Sequence, residues 1–176
     1  MKHILKFLTG ALLLVTSHVH ATAIEYTLDD LGSGSWQYNY IIINDSLTGT
    51  INEFTIYFEL NKYENLSVVA SPAVWDDLLV QPGSFIGLND GYYDSYSALG
   101  VGAGESAGVF SVRFDWLVAG ALPGDQDFEI VDPVTFAVLE DGRTSQTVVP
   151  LPGAMMLFIY GLGLLSATGL VRRRRV

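Results

Sequence analysis

Asp125, Asp127 and Glu129 alternate along the chain, and Asp132 follows closely. On a strand, alternate side chains share one face, so the three carboxylates would stand in a row. Clustered hard oxygen ligands suit calcium. The spacing is not that of an EF-hand loop, however, and a solvated strand face is the preferred reading over a metal site. A second candidate is the run Asn89-Asp90-Gly91-Tyr92-Tyr93-Asp94-Ser95-Tyr96. Read as a loop, it offers Tyr92, Tyr93 and Tyr96 to stack on a sugar ring, with Asp94 to accept from its hydroxyls. The competing account has these tyrosines closing one end of the fold.

What is missing narrows the chemistry further. The chain has no cysteine, and its histidines, His3, His18 and His20, all fall within the first twenty residues. The body that follows therefore has no thiol nucleophile, no Ser-His-Asp triad, no histidine general base and no histidine-liganded zinc. An enzyme built on this body would have to work with two carboxylates, as glycosidases do. Nineteen acids make some such pair inevitable, so a pair alone says little. A non-enzymatic protein without a cofactor is the expectation.

All nineteen acids lie between Glu25 and Asp141, against the bases Lys62, Arg113 and Arg143 alone, which gives the body a net charge of about −16. Such a surface repels nucleic acid and anionic lipid. Residues 24–148 are enough for one domain with a core of its own.

Both ends of the chain have targeting character. Lys2 and Lys6 precede the apolar stretch Phe7–Val15, and Ala21-Thr22-Ala23 follows. This is the layout of a secretory signal peptide over residues 1–23, with Ala21 and Ala23 marking a cut after Ala23 by signal peptidase. At the other end, Val149-Pro150-Leu151-Pro152-Gly153 leads into 18 uncharged residues, Ala154–Val171, and then Arg172, Arg173, Arg174 and Arg175. As a helix the apolar run measures roughly 27 Å, close to the hydrocarbon thickness of a bilayer. A helix satisfies its own backbone there. The arginines would face the cytoplasm and leave the body on the far side of the membrane. Pro150 and Pro152 keep the segment before the helix extended.

These residues resemble the PEP-CTERM sorting signal in its VPLPA-type variant, which combines a short proline motif, a single transmembrane helix and a terminal arginine cluster. Leu151 stands where the founding motif has glutamate, and Gly153 intervenes before Ala154. The resemblance implies export by a Gram-negative bacterium that makes extracellular polysaccharide, and removal of the tail by an exosortase. The implied localisation is the inner membrane with a periplasmic body before processing, and the cell surface or extracellular matrix after it. Two alternatives are an uncut single-pass anchor and a carboxylate-dependent carbohydrate-processing enzyme.

In the body, Trp36, Tyr38, Tyr40 and Ile42 fall on one face of a strand, as do Phe54, Ile56, Phe58 and Leu60, and Phe110, Val112, Phe114 and Trp116. That is period two. The polar loop Asn44–Gly49 predicts that the first two of these strands pair as a hairpin. Shorter strands are expected at 65–70, 78–80, 85–87, 126–131 and 136–139. Trp36, Trp75 and Trp116 read as core. No stretch of the body has a helical period, so the expectation is all-β, an antiparallel β-sandwich ectodomain over residues 24–140 with a linker at 141–148. The body also resembles an uncharacterised ectodomain type carried by such sorted proteins, through Tyr38-x-Tyr40-x-Ile42, Pro123-Gly124-x-Gln126-x-Phe128-Glu129-Ile130 and Asp132-Pro133-x-Thr135-Phe136. That likeness implies a fold and no activity. The body is expected to be a structural or binding module, with extracellular polysaccharide as the partner the setting suggests.

Overall fold

Strand β1 (Ala23–Gly32) starts the fold in this computed structural model, which describes residues 22–84 and 89–147. The segment up to Ala21, the strand expected at 85–87, and the whole C-terminal tract with its proline motif, apolar run and arginines lie outside the described residues. Ile24, Tyr26 and Leu28 alternate inward along β1, a strand not among those expected from the sequence. Gly32, Ser33 and Gly34 all have positive φ, so two glycines flank the turn that reverses the chain into β2 (Ser35–Ile43).

Among the described residues eight further strands follow: β3 (Ile51–Phe58), β4 (Tyr63–Ala70), β5 (Asp76–Val80), β6 (Gly91–Val101), β7 (Ser106–Trp116), β8 (Asp127–Val131), β9 (Val138–Arg143) and β10 (Ser145–Gln146). They form two five-stranded sheets, in the orders β10-β1-β2-β7-β4 and β5-β6-β3-β8-β9. The chain is all-β among the described residues, and the registered pairs are antiparallel. None of these residues forms a helix long and apolar enough to cross a membrane.

The predicted hairpin of β2 with β3 does not form. β2 lies between β1 and β7, whereas β3 lies between β6 and β8 in the other sheet. Asn44 turns the loop into a crossing between sheets. It is fully buried, and its amide donates to the carbonyls of Gly49 at 2.8 Å and Val101 at 3.0 Å, while its Oδ1 accepts from the Leu47 amide. A buried asparagine with these bonds satisfied fixes a corner that a polar surface turn would leave free.

The inward faces meet in one aromatic-rich core. Tyr38 stacks on Phe114 with centroids 4.8 Å apart, Phe54 meets Phe110 edge-on at 5.0 Å, and Phe58 meets Tyr63 at 5.2 Å. Such pairs contribute about 0.5–1.5 kcal/mol each beyond area burial. Trp75, just ahead of β5, closes the core against Phe110 at 5.1 Å. The inward registers read from β2, β3 and β7 hold. Trp36 and Trp116, however, are only half-buried at the margin, and Leu60 falls beyond the end of β3.

The C-terminal boundary moves. Residues expected to form a linker, 141–146, belong to β9 and β10, which meet at buried Thr144. The Thr144 amide donates to the Gln126 carbonyl and its Oγ1 accepts from the Gln126 amide, both at 2.8 Å. Only Thr147 and Val148 separate the last strand from Val149. Phe136, expected in a strand, instead sits exposed in a turn initiated by Asp132, whose carboxylate accepts from the Val134 and Thr135 amides. Those two amides hold the Asp132 carboxyl below its ordinary range.

Candidate functional site

The tyrosine-aspartate run is a strand, not a loop. β6 places Tyr92, Asp94 and Tyr96 on the outer face and turns Tyr93 and Ser95 into the core. Tyr93 therefore leaves the set of ligand-facing residues. Its phenol and the Ser95 hydroxyl both donate to Asp77 Oδ1, at 2.6 and 2.7 Å. Burial and that carboxylate push the Tyr93 phenol well above its ordinary range. Tyr96 is exposed, while Tyr92 and Asp94 are half-buried. The outward Tyr-x-Asp-x-Tyr alternation and the density of turn-forming residues before it obscured the strand's period.

Register then joins the two candidate clusters. β6 pairs with β3, and β3 with β8, so Asp94, Thr55 and Glu129 lie in one row across the outer face. Leu78 extends the row on one side and Asp141 on the other. Thr55 Oγ1 donates to Asp94 Oδ2 at 2.7 Å, and the Tyr57 phenol donates to Glu129 Oε2 at 2.8 Å. Burial raises the Asp94 carboxyl, with the Thr55 hydroxyl acting against it. Glu53 is also raised, first by burial and then by the negative charges of Asp94 and Asp132. Burial together with Glu129 lifts the Tyr57 phenol too.

The carboxylates proposed for calcium do not converge. Asp125 accepts from the Tyr26 phenol at 2.9 Å, Asp127 pairs with Arg143 Nε at 3.2 Å, and Glu129 takes the Tyr57 phenol. Among the described residues no group of three or more carboxylates is gathered as a metal site would require. Asp125 precedes β8 and belongs to the end of the sheet, whereas Asp127 and Glu129 share the outer face.

That end carries a cleft of about 510 Å³, lined by Tyr57, Tyr63, Trp116, Leu122, Asp125 and Arg143 among others. A shallower hollow of about 440 Å³ shares Tyr57, Asp90, Asp127 and Arg143 with it and continues past Glu129 and Asp141. Sequence reasoning missed Tyr57, Tyr63 and Arg143 as site residues, because their convergence comes from strand pairing and has no local motif. Two of the three basic residues of the body, Lys62 and Arg143, line the cleft. Beneath it lies a buried polar cluster. Tyr40 Oη donates to Gln126 Oε1 at 3.2 Å, Gln126 Nε2 donates to Tyr63 Oη at 3.1 Å, and Tyr38 Oη donates to the Gly124 carbonyl at 2.7 Å. Every buried side-chain polar atom among the described residues has a partner, so the cluster is a rigid floor. The arrangement presents aromatic edges, hydroxyls and carboxylates along a groove, the group types that bind polyhydroxylated chains.

Ala23 is the first residue of β1, opposite Ile43, and Thr22 just before it is buried. No protein-family model and no curated protein matches the chain. Among solved structures, 74% of the chain aligns with a GH20 exo-β-N-acetylglucosaminidase from Vibrio harveyi, crystallised with N-acetylglucosamine, at 12% identity and a TM-score of 0.36. The aligned part spans 19% of that protein, and a likeness at this level carries no argument about function.

Proposed function

We propose that the chain is an exported, non-enzymatic surface or matrix protein whose β-sandwich ectodomain binds extracellular polysaccharide. A signal peptide directs export, a C-terminal helix halts the chain in the inner membrane, and an exosortase that recognises Val149–Pro152 removes the tail. The observation that carries this reading is the ordered tract of proline motif, uncharged 18-residue run and four arginines. An uncharged plug pinned by guanidinium groups is favourable in a bilayer, and the acidic body is favourable outside it.

The groove supports the ligand class. Trp116 and Tyr57, both partly exposed, offer aromatic edges, and Asp125, Asp127 and Glu129 offer acceptors for sugar hydroxyls. Binding would be weak per site and would gain from many copies along a polymer.

Intact-mass measurement of the protein recovered from a producing bacterium tests the sorting. A C-terminus near Val149–Gly153 is expected, and a terminus still carrying Arg172–Val176 favours the uncut anchor. Incubation of that mature protein with the host's polysaccharide tests the body. Retention on the polymer without shortening is expected, and shortened chains would mean a carboxylate-dependent hydrolase.

A further inference from the structure

We infer that the leader is cut between Ala21 and Thr22, and that the freed α-ammonium of Thr22 is held against the Glu140 carboxylate. The inference rests on the export reading and moves its N-terminal boundary two residues from the cut after Ala23. Thr22 is only 4% exposed although it is polar and precedes the first strand. Its amide nitrogen faces two acceptors on separate elements: Ser46 Oγ at 2.8 Å, in the crossing after β2, and Glu140 Oε1 at 3.1 Å, on β9. Its hydroxyl lies 2.8 Å from Ser46 Oγ, which donates to Glu140 Oε2 at 2.7 Å.

A peptide nitrogen has one hydrogen to divide between those two acceptors. An α-ammonium has three, so it serves both and turns one more outward, and its bond to the carboxylate becomes charge-assisted. Among the described residues the ion pairs join Lys62 to Glu59 and Arg143 to Asp127, so no side-chain cation in that set pairs with Glu140. Its carboxyl is nonetheless held in the charged form. Burial pushes it up, but the Thr22 and Ser46 hydroxyls and the Thr22 amide outweigh burial and keep it below its ordinary range.

The leader offers small apolar residues at both positions this cut requires, Val19 three residues before the bond and Ala21 immediately before it. A cut after Ala23 would discard Thr22 with its hydroxyl cluster and the pairing of Ala23 with Ile43. Signal peptidase adds water across the Ala21–Thr22 peptide bond. The Ala21 carbonyl leaves as a carboxylate and the Thr22 nitrogen as an ammonium.

N-terminal sequencing of the protein exported from its full-length precursor is the first test. Thr22 is the expected first residue. A start at Ile24 overturns the inference and leaves the export reading intact, whereas a start at Met1 overturns both. The second test uses the exported Lys62→Arg protein, in which a Thr22 start leaves the α-amine as the sole primary amine. Acetylating it should lower the melting temperature by several degrees, and Glu140→Gln should remove most of that difference. A melting temperature that acetylation does not change, or that falls equally with Glu140→Gln present, overturns the role of Glu140.

Discussion

The Tyr57 phenol donates to Glu129 across a diagonal of the β3–β8 pair, since Glu129 lies opposite Thr55 and two residues from Tyr57. Diagonal cross-strand pairs are within reach of aromatic side chains, and here the bond fixes the ring that both hollows share. Tyr57→Phe should cost about 1 kcal/mol of stability while keeping the ring in place. Polysaccharide retention should therefore survive Tyr57→Phe and be lost with Tyr57→Ala. Melting curves and a retention assay on both variants check this, and equal binding by the two would remove Tyr57 from the ligand surface.

The outer face disfavours the charge of Asp94. Burial raises its carboxyl in the folded protein, so the folded state binds the proton more tightly than the unfolded chain. Stability therefore falls as pH rises from the ordinary aspartate range through the raised folded value. Asp94→Asn removes the charge and keeps an acceptor for Thr55. It should melt a few degrees above the wild type at neutral pH, with the advantage fading as pH falls toward about 4. An advantage that did not depend on pH would show that the effect is not electrostatic. The same variant should let Glu53 ionise more easily, since Asp94 is one of the two charges that raise it.

The face carrying Asp94 was readable in parts and unreadable as a whole. Alternation in Phe54–Phe58 and Phe110–Trp116 located the inward sides of β3 and β7 correctly, because burial of one face imposes period two on the sequence itself. β1 carries the same signal over fewer residues, in Ile24-x-Tyr26-x-Leu28, whereas in β6 the buried positions Gly91, Tyr93, Ser95 and Ser97 are mostly small or polar and the outward Tyr92, Asp94 and Tyr96 blur the period. Their neighbours, a leader and a turn-rich stretch, outweighed it. Pairing was not readable. Asn44–Gly49 has the composition of a hairpin turn, yet Asn44 is buried with its amide bonded to the Gly49 and Val101 carbonyls, and β3 lies in the other sheet. The groove inherits that difficulty, since Tyr57, Asp127 and Arg143 meet through β3–β8 and β8–β9 pairing at long sequence separation.

Gly100 is the backbone position least open to change. In β6 the four residues Ser97–Gly100 stand against the single Asn52 of β3, because Tyr96 pairs with Glu53 and Val101 with Ile51. Asn52 Nδ2 bridges the irregularity to the Ser97 carbonyl at 2.8 Å. Gly100 turns the chain back at φ +60°, and an added Cβ would collide with the Ile51 carbonyl oxygen. Gly100→Ala combines a left-handed penalty of about 1 kcal/mol with that collision, so a loss of about 2 kcal/mol or more is expected in denaturant melts. A loss below about 0.5 kcal/mol would mean that the bulge relaxes at little cost.

Gln126 is a demanding test of the fold, because it joins the floor of the cleft to Thr144, where the chain passes from β9 in one sheet to β10 in the other. It is 3% exposed, and its amide meets Tyr40, Tyr63, the Gly124 carbonyl and the Thr144 hydroxyl. Leucine has a similar volume and none of these bonds. Gln126→Leu leaves the Tyr40 phenol without its acceptor in a fully buried setting, and each such orphaned group costs about 1–3 kcal/mol. The Thr144 amide keeps its bond to the Gln126 carbonyl, so the backbone crossing should persist. Adding Tyr40→Phe to Gln126→Leu removes the orphaned hydroxyl. The double variant should then be more stable than Gln126→Leu alone, reversing the usual sign for truncating a core tyrosine. Chemical denaturation of the wild type, both single variants and the double variant measures this coupling. Additive losses would show that Tyr40 and Gln126 act independently and that the buried cluster is not a single cooperative network.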